Sequence, residues 1–226
     1  MTIDYGDFTR ASDLIHRLQG GALLALGAAE AYAQDNKGKK AVLAASLLFT
    51  FAGAAMLAAV LALPGGWSLE QLATALQARR GFHLFIAFSC LYCAAGLSRF
   101  MQESFGRAAW RSVFLFLLAL IVGLYFALAW RVNEEAWRQV LVWHSAIGFT
   151  LLLAVAVKSA DIFLRRRALR LAWAVLLMMA GLQLVSYREA PGAFAPRLVT
   201  LESAPEIPPV AVPKNAKTAD KKRPGN

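Results

Sequence analysis

The sequence predicts an all-α integral membrane bundle of six transmembrane helices, with five as the count should the first segment not span. Three observations predict it. Of the 226 residues, 58% are hydrophobic and only 17% charged, against about 45–50% and about 25% in a soluble chain. The missing charge is concentrated in blocks close to the 17–25 residues that a hydrocarbon core of about 30 Å requires. Basic residues then alternate between the loops joining those blocks, as topology determinants do.

The first block, Leu14 to Ala33, contains His16, Arg17, Gln19 and Glu30. Its charges lie near its ends, where long side chains snorkel to the interface, and Gly20 to Ala29 is all Gly, Ala and Leu. Ala41–Leu63 is 23 residues without a charge, and Ser112–Trp130 is 19. Gln139–Val157 is 19 residues with His144 as its one ionisable group. Phe82–Ser98, with His83, and Leu171–Tyr187 are 17 each, and neighbouring residues can extend them.

Asp4, Asp7 and Asp13 outnumber Arg10 in the first thirteen residues. That is the reverse of a basic signal-peptide n-region, so the first span is expected to serve as its own insertion signal. Residues 34–40, 99–111 and 158–170 hold eleven Lys and Arg, while the alternate loops hold Arg79, Arg80, Arg131 and Arg138. The first set is expected to be cytoplasmic, which puts both termini outside, in the periplasm of a bacterial inner membrane. The net charge of +10 therefore gives no argument for nucleic acid, since eleven of 24 basic residues set topology and seven more lie from Arg188 onward.

Outside the spans, residues 1–13 form an outward N-terminal segment and 14–187 the membrane domain. Residues 188–226 hold seven of eight prolines and end near Lys221-Lys-Arg223, the composition of a disordered basic tail. Between Pro64 and Arg80, Ser68-Leu-Glu-Gln71 is a capping-box pattern. Leu69, Leu72, Ala73 and Leu76 follow at the spacing of one apolar face. An amphipathic helix over 68–80 is expected on the outer surface, delivering Arg79 and Arg80 to the mouth of the third span. Trp67, Trp130, Trp137 and Trp143 suit an interfacial belt, and Gly53, Gly123 and Gly181 suit close helix packing.

The chain has three histidines, and the six-span topology puts His16, His83 and His144 near the outward ends of odd-numbered spans. Ionisable groups inside a membrane are functional by default. Each histidine has a small residue four positions on (Gly20, Ala87 and Gly148) on the same face, where a flat ring could lie. Neutral imidazole is an axial ligand for haem iron, and Arg17, Arg79, Arg80 and Arg138 lie within reach of propionate carboxylates. Interfacial histidines with ordinary flanking arginines account for the same pattern without a cofactor. Cys90 and Cys93 read as packing residues. Glu30 and Gln183 read as contacts either to a quinone or proton path or to another helix.

Gly81-Phe-His83-Leu-Phe-Ile-Ala-Phe-Ser with Arg99, and Trp143-His144-Ser-Ala-Ile-Gly148-Phe-Thr-Leu-Leu-Leu, resemble the haem-bearing spans of membrane-bound b-type cytochromes. These are the small bundle cytochromes that serve hydrogenases, formate dehydrogenases or the quinone pool. The resemblance implies an outer-side haem b held by His83 and His144, with Gly148 beside its ligand, and His16 as a third candidate ligand or a quinone-site residue. It departs from the family at Lys158, where a second histidine often stands fourteen positions after the first, so one haem per chain is expected. The implied role is an electron-transfer subunit rather than a stand-alone enzyme. It would link quinone to an outer-face redox partner within a larger membrane complex, surrounded by lipid. The alternatives are a cofactor-free or pigment-associated structural subunit and a small-molecule transport component. Against transport stands the lack of a Gly/Pro-broken pair of spans.

Overall fold

The structure, a computed structural model, describes residues 5–35, 38–78, 80–128, 134–190 and 193–194. Among these there are seven α-helices and no strand: α1 Tyr5–Asp35, α2 Lys39–Ala62, α3 Leu69–Ala78, α4 His83–Phe105, α5 Ala108–Leu128, α6 Glu134–Leu164 and α7 Arg167–Ser186. Helices α2, α4, α5, α6 and α7 are long and apolar enough to cross a membrane. That is the five-span form of the expected bundle. Helix α1 has 31 residues, roughly 46 Å at 1.5 Å per residue, but the polar residues noted in the sequence keep it out of that apolar class.

The long helices form a ring. Each packs against its chain neighbours, and α7 returns to close against α1. Glycines set the tightest approaches. A Cβ on Gly20 would lie 2.6 Å from the Gly181 carbonyl oxygen, and one on Gly53 2.5 Å from the Cys93 amide nitrogen, so α1 meets α7 and α2 meets α4 backbone to backbone. Gly123 has nothing within 4 Å and is not the packing residue expected. The core runs the length of the ring through Phe8, Ile15, Leu23 and Leu26 of α1, Phe49 and Met56 of α2, Phe88 and Tyr92 of α4, and Trp173 and Leu177 of α7.

Several boundaries differ from the sequence expectation, each for a physical reason. Helix α1 starts at Tyr5, inside the expected N-terminal segment, because Phe8 and Ala11 are fully buried against the bundle. Helix α4 continues past Ser98 to Phe105, since Arg99 pairs inside the protein instead of opening a loop. Helix α6 likewise continues through Lys158 to Leu164. Helix α3 starts one residue after Ser68, whose hydroxyl accepts the Gln71 amide hydrogen at 3.4 Å, as half of the capping box requires. Its Leu72 and Leu76 pack on the core while Leu69 is exposed. The short 3-10 turn Arg80–Phe82 leads directly into α4.

The first residues of the segment expected as a tail pack on the bundle. Ala190 and Ala193 are buried with Val140 of α6, and Phe194 stacks near Phe8. The remainder of the tail lies outside the described residues, as do Arg79 and Trp130. Cys93 donates its S–H to the Thr50 carbonyl of α2 at 3.4 Å, while Cys90 is exposed instead of packed.

Candidate functional site

One end of the bundle gathers two of the three histidines. Ser12, His16 and Gln19 recur on one face of α1, and all three are buried. From α6, His144 is buried as well, and the two imidazole rings lie 5.6 Å apart between centroids at 71°. Each ring is anchored alike. Nδ1 of His16 is 2.8 Å from the Ser12 carbonyl oxygen, and Nδ1 of His144 is 2.8 Å from the Val140 carbonyl oxygen. A hydrogen bond to a carbonyl makes Nδ1 the donor, which leaves Nε2 of a neutral imidazole with its lone pair free.

Aromatic side chains enclose the pair. The ring of Tyr187 lies 4.6 Å from His16 and 5.2 Å from His144, Phe85 of α4 is 6.2 Å from His16, and Tyr125 of α5 is 6.0 Å from His144. The Tyr125 hydroxyl donates to Gln19 Oε1 at 2.8 Å, tying α5 to α1 one turn below His16.

A carboxylate closes the outer side. Glu189 accepts hydrogen bonds from the Ser12 hydroxyl and, at 3.0 Å, from the Tyr187 hydroxyl, and its amide N–H approaches Asp13 at 3.4 Å. Burial pushes its carboxyl above the ordinary value of 4.5, against the opposing pull of those two hydroxyls and of His144. Burial and the neighbouring Glu189 also raise the Tyr187 phenol, so it remains a protonated donor. The sequence gives no sign of Ser12, Tyr187 and Glu189 acting together, because Ser12 and Glu189 are 177 positions apart.

His83 does not join this pair. It is the first residue of α4 and exposed, whereas Phe85, two positions and about 200° further round the helix, faces His16. The expected His83–His144 ligand pair is therefore not the pair that the fold brings together. The expected gap beside the ligands is also filled by protein. A Cβ at Gly20 would strike α7, and one at Gly148 would come 3.0 Å from the Phe126 ring. Arg17 and Arg138 are exposed, and Arg80 stands in the turn before α4.

The opposite end holds a buried ion-pair network that the sequence reading left as loop charge. Arg99 of α4 donates to Glu30 of α1 at 2.5 and 2.9 Å and to Glu103 at 2.5 Å. Lys158 of α6 lies 3.9 Å from both Glu30 and Asp161 and 5.6 Å from the Trp173 ring centroid. Arg170 of α7 reaches Gln34 at 2.9 Å and Asp161 at 4.0 Å. Glu30 thus bonds to other helices. Gln183, the other intramembrane polar residue, has a buried Oε1 without a hydrogen-bond partner.

Among the described residues no group of three or more His, Cys, Asp or Glu could hold a bare metal ion. What the histidine end offers is a pair of oriented imidazoles in an aromatic, water-poor setting. No family model matches the chain, and comparison with the curated proteins and with the solved structures gives no match.

Proposed function

We propose that the chain is a membrane electron-transfer subunit that holds one b-type haem between His16 and His144. The observation that carries this reading is the close approach of two buried imidazoles, 5.6 Å apart between centroids, each with Nδ1 tied to a carbonyl four residues back. The donor set fits haem, with two neutral nitrogen ligands held by α1 and α6.

A bound haem would supply reversible one-electron chemistry. The chain's own residues do the rest. The Ser12 and Val140 carbonyls fix the ring tautomers, Tyr187, Phe85 and Tyr125 exclude water, and Glu189 accepts the Ser12 and Tyr187 hydroxyl protons in hydrogen bonds beside the site. In this reading electrons pass between membrane quinone and a redox partner at the outer face, within a larger complex of the bacterial inner membrane. The basic connections after α1, α4 and α6 support a cytoplasmic placement for that end and a periplasmic one for the histidine end.

A second reading, a cofactor-free structural subunit, is favoured by the Phe126 ring against Gly148 and by Tyr187 against both imidazoles. A reduced-minus-oxidised absorption spectrum of purified protein separates the two. The haem reading expects a b-type spectrum that His16→Ala and His144→Ala each abolish and His83→Ala spares. A spectrum lost with His83→Ala and kept with His16→Ala sinks the pairing, and a colourless wild-type protein reconstituted with haem sinks the reading itself.

A further inference from the structure

At the end of the bundle away from the histidines, two adjoining cavities open between the helix ends. The first, about 200 Å³, is lined by Arg111 of α5, Lys158 and Asp161 of α6, Arg170 of α7 and Arg165 between those two helices. The second, about 320 Å³, shares Arg111 and adds Lys39, Glu103 and Arg107. Of the two carboxylates here, Glu103 is bound to Arg99, while Asp161 lies 3.9 Å from Lys158 and 4.0 Å from Arg170 with its Oδ1 buried and without a hydrogen-bond partner. Among the described residues Arg111 has no carboxylate partner, and its Nε is buried without a hydrogen-bond acceptor. A buried donor left unmet is costly, and a guanidinium fork suits an oxyanion.

Two backbone features point the same way. Arg165 has φ +49°, in the left-handed region that favours glycine at a helix C-terminus. Its amide caps α6 by donating to the Asp161 carbonyl at 2.9 Å. An arginine accepts that strain at the lip of a cationic cavity. The second cavity is bounded by Gly106, Arg107 and Ala108 at the N-terminus of α5, the positive end of the helix dipole. Phe105, at the end of α4, and Phe163 and Leu164, at the end of α6, are exposed.

We propose that these cavities bind a phosphate oxyanion, the headgroup of an anionic phospholipid or free phosphate. Cations line both cavities, and Arg111, which lines both, keeps a guanidinium Nε without an acceptor. This inference is independent of the haem reading.

The test uses full-length protein in nanodiscs of phosphatidylcholine alone or with phosphatidylglycerol, and titrates inorganic phosphate into the former. Lipid retention by native mass spectrometry and the thermal midpoint are the readouts. Phosphatidylglycerol is expected to stay bound and raise the midpoint, and Arg111→Gln with Arg165→Gln to weaken retention about tenfold. Arg165→Gly removes the backbone strain, so it should hold the midpoint in phosphatidylcholine while losing the response to the ligand. A midpoint raised by phosphate without phosphatidylglycerol assigns the site to a free anion, and a response to phosphatidylglycerol alone assigns it to lipid. No response to either, or variants that respond as wild type does, overturns the proposal.

Discussion

Arg99 and Glu30 show how much a single side chain can decide at depth. Both are at most 6% exposed, and removing one partner of such a pair strands the other charge at a cost of about 3–5 kcal/mol. Lys158 at 3.9 Å offsets part of that for Glu30. Arg99→Met should therefore cost about 3 kcal/mol, and Glu30→Gln added to it should restore much of the loss, measured as thermal midpoints in one detergent. Additive losses would show the two residues uncoupled. At the other end Glu189 gives a pH signature. Its carboxyl titrates above the ordinary 4.5 in the folded protein, so the folded state holds this proton more tightly than the unfolded chain. The stabilisation is complete below 4.5 and is lost as pH rises through the folded-state value. Glu189→Gln should remove that loss, so the difference in midpoint between variant and wild type should grow upward from pH 4.5 and then level off. A difference constant with pH would mean that Glu189 is not the group that titrates.

Helices α1 and α7 depend on glycines in unequal ways. Gly20→Ala must displace the backbone of Gly181 or the Val185 side chain, and overpacking of this kind costs about 1–3 kcal/mol. Gly21→Ala and Gly123→Ala meet nothing within 4 Å and should be neutral or stabilising by up to about 1 kcal/mol through helix propensity. Equal midpoints for Gly20→Ala and Gly21→Ala would contradict the α1–α7 contact. The five apolar helices were legible from uninterrupted apolar runs, because lipid leaves a spanning segment little alternative to helix. Their ends were not, because Arg99, Lys158 and Asp161 extend α4 and α6 by pairing with residues on other helices. Periodicity likewise gave the depth of each histidine but not its azimuth. His83 and Phe85 stand within about 3 Å of the same depth at about 1.5 Å per residue, and only the rotation that α4 takes in packing against α2 and α5 decides which of them meets His16.

For the molecule as a whole, the two ends of the ring differ in what they can hold. A periplasm-active reporter inserted at Gly66, between α2 and α3, should be active, and one at Gly106, between α4 and α5, silent; the reverse would put the histidine pair on the cytoplasmic side. The same asymmetry sets the number of haems. Two bis-histidine sites need four imidazoles and the chain has three, of which His16 and His144 lie 5.6 Å apart and His83 is exposed. At the basic end Lys158 is set between Glu30 and Asp161 and over Trp173. The space between α1, α4 and α6 at that depth is taken by the Glu30–Arg99 pair. Purified protein should then contain about one haem per chain, and Lys158→Met should leave that ratio unchanged while lowering the thermal midpoint. A ratio near two would require a ligand at the basic end and displacement of the ion-pair network. A ratio near zero after reconstitution would leave the two imidazoles as packing groups and favour the structural subunit.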